Sequence, residues 1–420
     1  MRILQKHISS NFNWLNSVIT ILIVGGGAKL LAIVKDAYLA SELGIGDTIN
    51  NYFLLLLIPV FIANSLSSSI ANVILPNARK EEFLRGAFGY FLKLFFVAFS
   101  IALIVSIVYL KFYQVELWLV LSVPYVILFL LTFVVVLQGI NAYLLALVES
   151  EGKFYSTPFH SVFLSVSTVF AIWYSVELIN LIIAFFASYL LMTIFLVFNI
   201  SNKKLLIPLW SNVFNSTEKN NYKILILSAL IGGAAFFIDQ LMADYYFYSG
   251  ISIVQYAFKI TLLISSFLAL AFGNVLLKEF STRSKKEGDR LLLLSSSFIL
   301  LICLFIALLI WYFSFETVAL FFERGKFSIK ETEMVVPLLK IYAFTIPFYV
   351  LKYVFGVYLA SRKAYRRLLI ISVLSLCSNV VFNYLFIKQF GISGIALSTV
   401  VSFLLVSLLS VYYSKQVSIE

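Results

Sequence analysis

Residues 291–313 read LLLLSSSFILLICLFIALLIWYF, an apolar run without one charged side chain. At ~1.5 Å of rise per residue, a helix of that length crosses the ~30 Å hydrocarbon core of a bilayer. The polar stretch SKKEGDR, residues 284–290, marks its edge. Outward from it, comparable runs fall near 14–36, 51–75, 87–110, 117–146, 158–176 and 178–200. They continue near 222–248, 252–277, 335–360, 365–387 and 391–414. The chain is 62% hydrophobic, 17% aromatic and 12% charged, with a mean hydropathy of +1.00. No water-soluble fold of 420 residues hides that much apolar surface. The expected fold is an all-α integral membrane protein with twelve transmembrane helices.

Lys and Arg in the short gaps set the orientation. With both termini inside, twenty of the 31 basic residues fall on the inner side, among them Arg79, Lys80, Arg85, Lys203, Lys204, Arg362, Arg366 and Arg367. Five fall outside: Lys111, Arg324, Lys326, Lys330 and Lys388. Both termini are therefore expected in the cytoplasm. The first apolar run is too long for a cleavable signal and lacks a small-residue cleavage site. The +11 net charge follows from these loops and favours anionic headgroups. Nucleic-acid binding would need a soluble basic module, and the sequence offers none. Cys303 and Cys377 lie in different runs, are expected in the core, and suggest neither a disulfide nor a metal motif.

The runs divide into two sets of six. Gly26-Gly27 opens the first set and Gly232-Gly233 the second. Ala71-Asn72-Val73-Ile74-Leu75 is echoed by Gly273-Asn274-Val275-Leu276-Leu277, and Tyr143-Leu144 by Tyr358-Leu359. The expected organisation is a six-helix bundle over 1–200, a cytoplasmic linker over 201–221 and a second bundle over 222–420. A direct repeat of six helices puts the pseudo-two-fold axis along the membrane normal, an arrangement in which transporters hold substrate between halves.

Charges inside the runs cost roughly 2.5–3.5 kcal/mol at a helix centre and mark function by default. Lys29, Lys35 and Asp36 sit in the first run, with Lys29 and Asp36 two turns apart on nearly one stripe. Asp239 and Asp244 lie in the seventh run, Lys259 in the eighth, and Lys340 and Lys352 in the tenth. The plainer reading is a snorkelling lysine, which suits Lys340 and the interfacial Lys93. Asn379 and Asn383 share one helix face, and Thr399 follows in the next run. With Asp239 they make an oxygen-only set suited to a sodium ion or a proton. The alternative is that Asn and Thr simply bridge helices by hydrogen bonds. Gly25-Gly26-Gly27 lacks the GK[ST] of a phosphate loop and is expected to interrupt the first helix.

Ala28-Lys29-Leu30-Leu31-Ala32-Ile33-Val34-Lys35-Asp36-Ala37 resembles the first-helix motif of MurJ/MviN-type lipid flippases. Leu43-Gly44-Ile45-Gly46, Phe322-Glu323-Arg324-Gly325-Lys326-Phe327 and Gly394-Ile395-Ala396-Leu397-Ser398-Thr399 resemble later motifs of that family. The resemblance implies the multidrug/oligosaccharidyl-lipid/polysaccharide (MOP) exporter superfamily, a MATE-like pair of six-helix bundles around a central cavity. It implies a cargo linked to undecaprenyl diphosphate, bound by Lys29, Lys35 and Lys259 with Asp36 alongside. It also implies a coupling cation at Asp239, Asn379, Asn383 and Thr399. The departures are Lys where the family carries Arg, the loss of basic residues from the second helix, and Asn383 in place of a carboxylate.

MurJ-type lipid II flippases usually have two more helices, whereas the twelve-helix length is similar to that of Wzx-type flippases. The expected function is therefore alternating-access flipping of a lipid-linked oligosaccharide, an O-antigen or capsule repeat unit, with polysaccharide-assembly proteins as partners. Lipid II for peptidoglycan is the alternative cargo, and a MATE-type cation-coupled drug antiporter the alternative transporter. A membrane enzyme would need outer-loop catalytic groups. The longest outer loop spans only about 314–334, and His7 and His160 have no paired acid motif.

Overall fold

The computed structural model describes residues 24–67, 70–74, 80–113, 124–210, 213–214, 216–282, 285–362 and 364–419. The sequence expectations for His7 and Arg79, and for residues 14–23 and 117–123 of the expected runs, fall outside these residues. Every described segment of length is helical. Helix α1 covers residues 24–43, followed by α2 (Asp47–Ser67), α3 (Glu81–Tyr113), α4 (Pro124–Ser150), α5 (Phe159–Tyr174) and α6 (Leu178–Asn199). Then come α7 (Ser216–Tyr246), α8 (Gly250–Thr282), α9 (Lys285–Tyr312), α10 (Ser314–Phe322), α11 (Ile329–Tyr342), α12 (Thr345–Ser361), α13 (Tyr365–Phe390) and α14 (Ser393–Ile419).

Among the described residues, 9 helices are long and apolar enough to cross a bilayer. The number is 10 if α11 and α12, which meet at 44°, form one span. Of the other expected spans, α5 has 16 residues and α1 is described only from residue 24. Large apolar side chains on the outer faces point where lipid would be. Along α9, Leu294, Phe298, Leu301 and Phe305 form one exposed stripe, with Leu301 at 68%. In water such a stripe would aggregate; against hydrocarbon it is at home.

Three expectations are corrected. The tenth run is not one helix: it breaks after Tyr342, and the cause is Pro347. Proline lacks the N–H that would bond to Ala343, and its ring crowds that carbonyl. The chain turns there through shorter bonds, Phe344 N–H to Ile341 O (3.1 Å) and Ile346 N–H to Ala343 O (3.2 Å). Gly25, Gly26 and Gly27 do not interrupt α1 but lie within it, with open space beside each. Cys303 is buried as expected, whereas Cys377 is exposed on α13.

The chain forms two compact units, one of residues 1–42 and 54–218, the other of 43–53 and 219–420. In the first, α4 packs on α3 and α6, and α5 on α6. Phe88 stacks on Tyr143 with centroids 4.4 Å apart, and the buried Tyr143 hydroxyl donates to Leu84 O (3.2 Å) or Leu205 O (3.3 Å). Asn141 donates to Tyr189 O (3.0 Å) and accepts from Thr193 (2.8 Å), tying α4 to α6. The irregular segment after α6 lies against Gly86 and Gly89 of α3. A Cβ at Gly89 would stand 2.3 Å from Leu209 O.

In the second unit α12 is central, packing against α8, α9 and α14, while α13 packs on α14. Tyr256, Tyr342, Tyr358 and Phe280 are among its largest fully buried side chains. Ser328 and Glu331 close a capping box at the start of α11.

Gly89 is where a small change should tell most. Gly89→Val is expected to lower the thermal midpoint of the purified protein in detergent, by the ~1–3 kcal/mol typical of overpacking. Gly152→Ala is a poor control because of its backbone angle, so Gly46→Ala, which faces open space, serves and should leave the midpoint near wild type.

Candidate functional site

The first unit holds Lys29, Lys35 and Asp36 on α1. Lys29 is half-buried. The Lys35 ammonium lies 3.0 Å from the Asp36 carboxylate, and both side chains are largely withdrawn from the surface. Neighbours in sequence point to different faces of a helix, so this pair forms only because the long lysine stem folds across. One turn either side, Leu31, Val34 and Tyr38 line a cavity of about 460 Å³ with Ser165, Val166, Val169, Phe170 and Trp173 of α5. The lining is almost wholly apolar.

The second unit holds the rest. Lys259 of α8 lies over the Phe53 ring at 4.6 Å and near that of Tyr256 at 5.9 Å. Phe53 belongs to the segment 43–53, which docks here through polar contacts as well. Asn50 donates to Asp244 (3.0 Å) and accepts from the Ser252 backbone (3.3 Å). The Tyr256 hydroxyl donates to Gly44 O (3.3 Å). Gly44 adopts φ +61°, and a Cβ there would meet Lys326 O at 2.9 Å. Glycine is required on both counts.

Asp239 is fully buried at 0% exposure. Its Oδ1 accepts from the amides of Asn379 (3.0 Å) and Asn383 (2.6 Å), and its Oδ2 from the Thr399 hydroxyl (2.8 Å). The Asn pair sits one turn apart on α13, so its amides reach the same oxygen. Ser398 bonds Asn379 O (3.0 Å) and holds α14 against α13 there. Asn383 Oδ1 is buried without a hydrogen-bond partner. Among the described residues, no group of three or more His, Cys, Asp and Glu side chains is placed to hold a metal ion. Asp239 supplies this cluster's one carboxylate. One carboxylate with amide and hydroxyl oxygens balances a single positive charge, and the unpartnered Asn383 oxygen fits such a ligand.

The structure thus brings Asp239, Asn379, Asn383 and Thr399 together, and joins Lys35 to Asp36. Lys29, Lys35 and Asp36 belong to the first unit and Lys259 to the second. Sequence reading did not find Asn50, Phe53 and Tyr256 as neighbours of Asp244 and Lys259. Gly44 alone signalled that segment, through its Gly-containing turn.

Residues 48–420 match the family described as Lipid II flippase MurJ. The chain belongs to that family. It is 25% identical over 404 residues to the probable lipid II flippase MurJ of Aquifex aeolicus (strain VF5), covering 89% of this chain and 78% of that protein. Among solved structures it is similar to the lipid II flippase MurJ in an inward closed conformation. The TM-score is 0.75 at 17% identity, over 94% of this chain and 87% of that one. An outward-facing MATE multidrug resistance transporter of the MOP superfamily matches with TM-score 0.68 at 14% identity, over 95% of each chain. The MurJ/MATE-like fold and the multi-span membrane character follow. Family membership makes the chain a transporter and not an enzyme.

The Asp239 cluster makes a stability prediction. Thr399→Val removes one donor from a buried carboxylate and is expected to cost about 1–3 kcal/mol, read as a lower thermal midpoint in detergent. Thr399→Ser keeps the hydroxyl and should stay much nearer wild type.

Proposed function

We propose that the chain flips lipid II, an undecaprenyl-diphosphate-linked precursor, from the cytoplasmic to the outer leaflet of the bacterial cytoplasmic membrane. The observation that carries this reading is the family match over residues 48–420. It favours lipid II over the O-antigen or capsule unit expected from segment count. The likeness to a multidrug transporter, at 14% identity, speaks for the fold alone.

The physical problem is the diphosphate. Carrying unpaired charge through hydrocarbon is very costly, so the carrier must offer compensating charge. Lys29, Lys35 and Lys259 supply it, as point charges where guanidinium forks would bind two oxygens at once. Asp36 keeps Lys35 paired at 3.0 Å until a diphosphate displaces it. The prenyl chain stays in lipid throughout. Two six-helix bundles, residues 1–200 and 222–420 joined by the cytoplasmic linker 201–221, rock to open a central cavity to each side in turn. No bond is made or broken. Asp239, Asn379, Asn383 and Thr399 would hold the coupling ion, a sodium ion or a proton, which supplies directionality. A membrane potential adds ~2.3 kcal/mol per elementary charge per 100 mV.

The test is flipping of lipid II in proteoliposomes. Lys29→Ala, Lys35→Ala and Lys259→Ala, each with an unchanged thermal midpoint, are expected to slow flipping about tenfold or more, since a charge-assisted hydrogen bond is worth ~1.5–3 kcal/mol. Wild-type flipping of a polysaccharide repeat unit but not of lipid II would return the cargo to that class. Flipping of neither would end the reading.

A further inference from the structure

One stripe of α12 carries Tyr349, Lys352, Tyr353 and Gly356, at spacings of three, four and seven from the first. The opposite face, including Val350, Leu351, Val354 and Phe355, is buried. A Cβ at Gly356 would meet nothing within 4 Å, so the stripe borders open space.

Lys352 stands out on this stripe. Its ammonium lies 5.2 Å from the Phe403 ring centroid. Phe403 falls near the middle of the span Ser393–Gln416, so the charge is held at mid-span and does not snorkel to an interface. None of the ion pairs among the described residues includes Lys352. Tyr349 packs on the same Phe403 ring, with centroids 5.9 Å apart, and Tyr353 is 36% exposed one turn along. A lysine pointing at lipid from mid-span would be costly. A face ring offset against the ammonium relieves only part of that cost.

We propose that Tyr349, Lys352, Tyr353 and Phe403 form a second anion-recognition site, for a carboxylate or phosphate carried on the polar head of the cargo outside its diphosphate. The ammonium supplies the charge, the phenol hydroxyls donate hydrogen bonds, and the aromatic rings offer faces to sugar C–H groups. The site is separate in the chain from the lysines assigned to the diphosphate. It rests on the reading that the cargo is a lipid-linked saccharide.

The test uses the full-length protein in nanodiscs, with binding read by thermal shift. The probes are undecaprenyl diphosphate carrying a neutral disaccharide, one with a carboxylate, and one with a phosphate. Wild type is expected to prefer an acidic probe over the neutral one about tenfold, as one charge-assisted contact gives. Whichever acid gains more names the group. Lys352→Met should erase the preference while leaving neutral-probe affinity unchanged, and Lys352→Arg should keep it. An unchanged preference in Lys352→Met, or an equal loss for all probes, would overturn the site. A soluble acidic disaccharide without the lipid separates this proposal from the cargo reading. If wild type binds no lipid-linked probe, the cargo reading fails. The soluble probe, bound by wild type and lost in Lys352→Met, would still support the site, and no difference between the two would overturn it.

Discussion

Hydrocarbon offers a peptide N–H nothing to bond to, and the rest of the structure follows from that. Each long segment satisfies its own backbone by closing into a helix. Side-chain hydroxyls obey the same demand locally. Ser65, Ser100, Thr132 and Ser165 each bond a carbonyl one turn back in their own helix. Such serines and threonines cost little in a span because the helix itself is their partner. This explains how a chain with so many hydroxyls in its apolar runs still reads as membrane-spanning.

Groups that cannot be satisfied within one helix are the ones that organise contacts between helices. Asp239 draws donors from α13 and α14. Asn141 draws α6 to α4, and Asp244 draws segment 43–53 to α7. Each of these contacts links residues far apart in sequence. The packing that surrounds them is apolar and tolerant, whereas a buried carboxylate missing a donor leaves a penalty that no neighbouring leucine relieves. Polar residues thus fix which helices meet and at what register, while the apolar majority fixes only that they are helices in lipid.

That division also explains what could be read from sequence. The runs were legible because a span needs about twenty apolar residues whatever surrounds it. The Asp239 cluster was legible in part. Asn379 and Asn383 declared a common face by spacing alone, and Thr399 followed at the next helix. The break after Tyr342 was also written in the chain, at Pro347, but the hydropathy of 335–360 masked it. Cys377 was misplaced because a residue's position inside a span does not say which face it occupies when both faces are apolar. The contacts of Phe53, Tyr256 and Phe403 with lysine ammoniums were not legible. A phenylalanine among 42 carries no mark of the cation it will cover.

The same reasoning bears on how little sequence identity the fold requires. A TM-score of 0.68 to a MATE transporter coexists with 14% identity. Lipid-facing and packing positions accept many apolar residues, so they drift without moving the helices. The charges within the spans are few, and a bilayer tolerates them only at a cost. The architecture is shared, and function is carried by sites placed upon it. In this chain the intramembrane cations are lysines, and several are shielded by an acid or a ring. A lysine shielded by an acid or a ring is kept buried at lower cost than a bare charge.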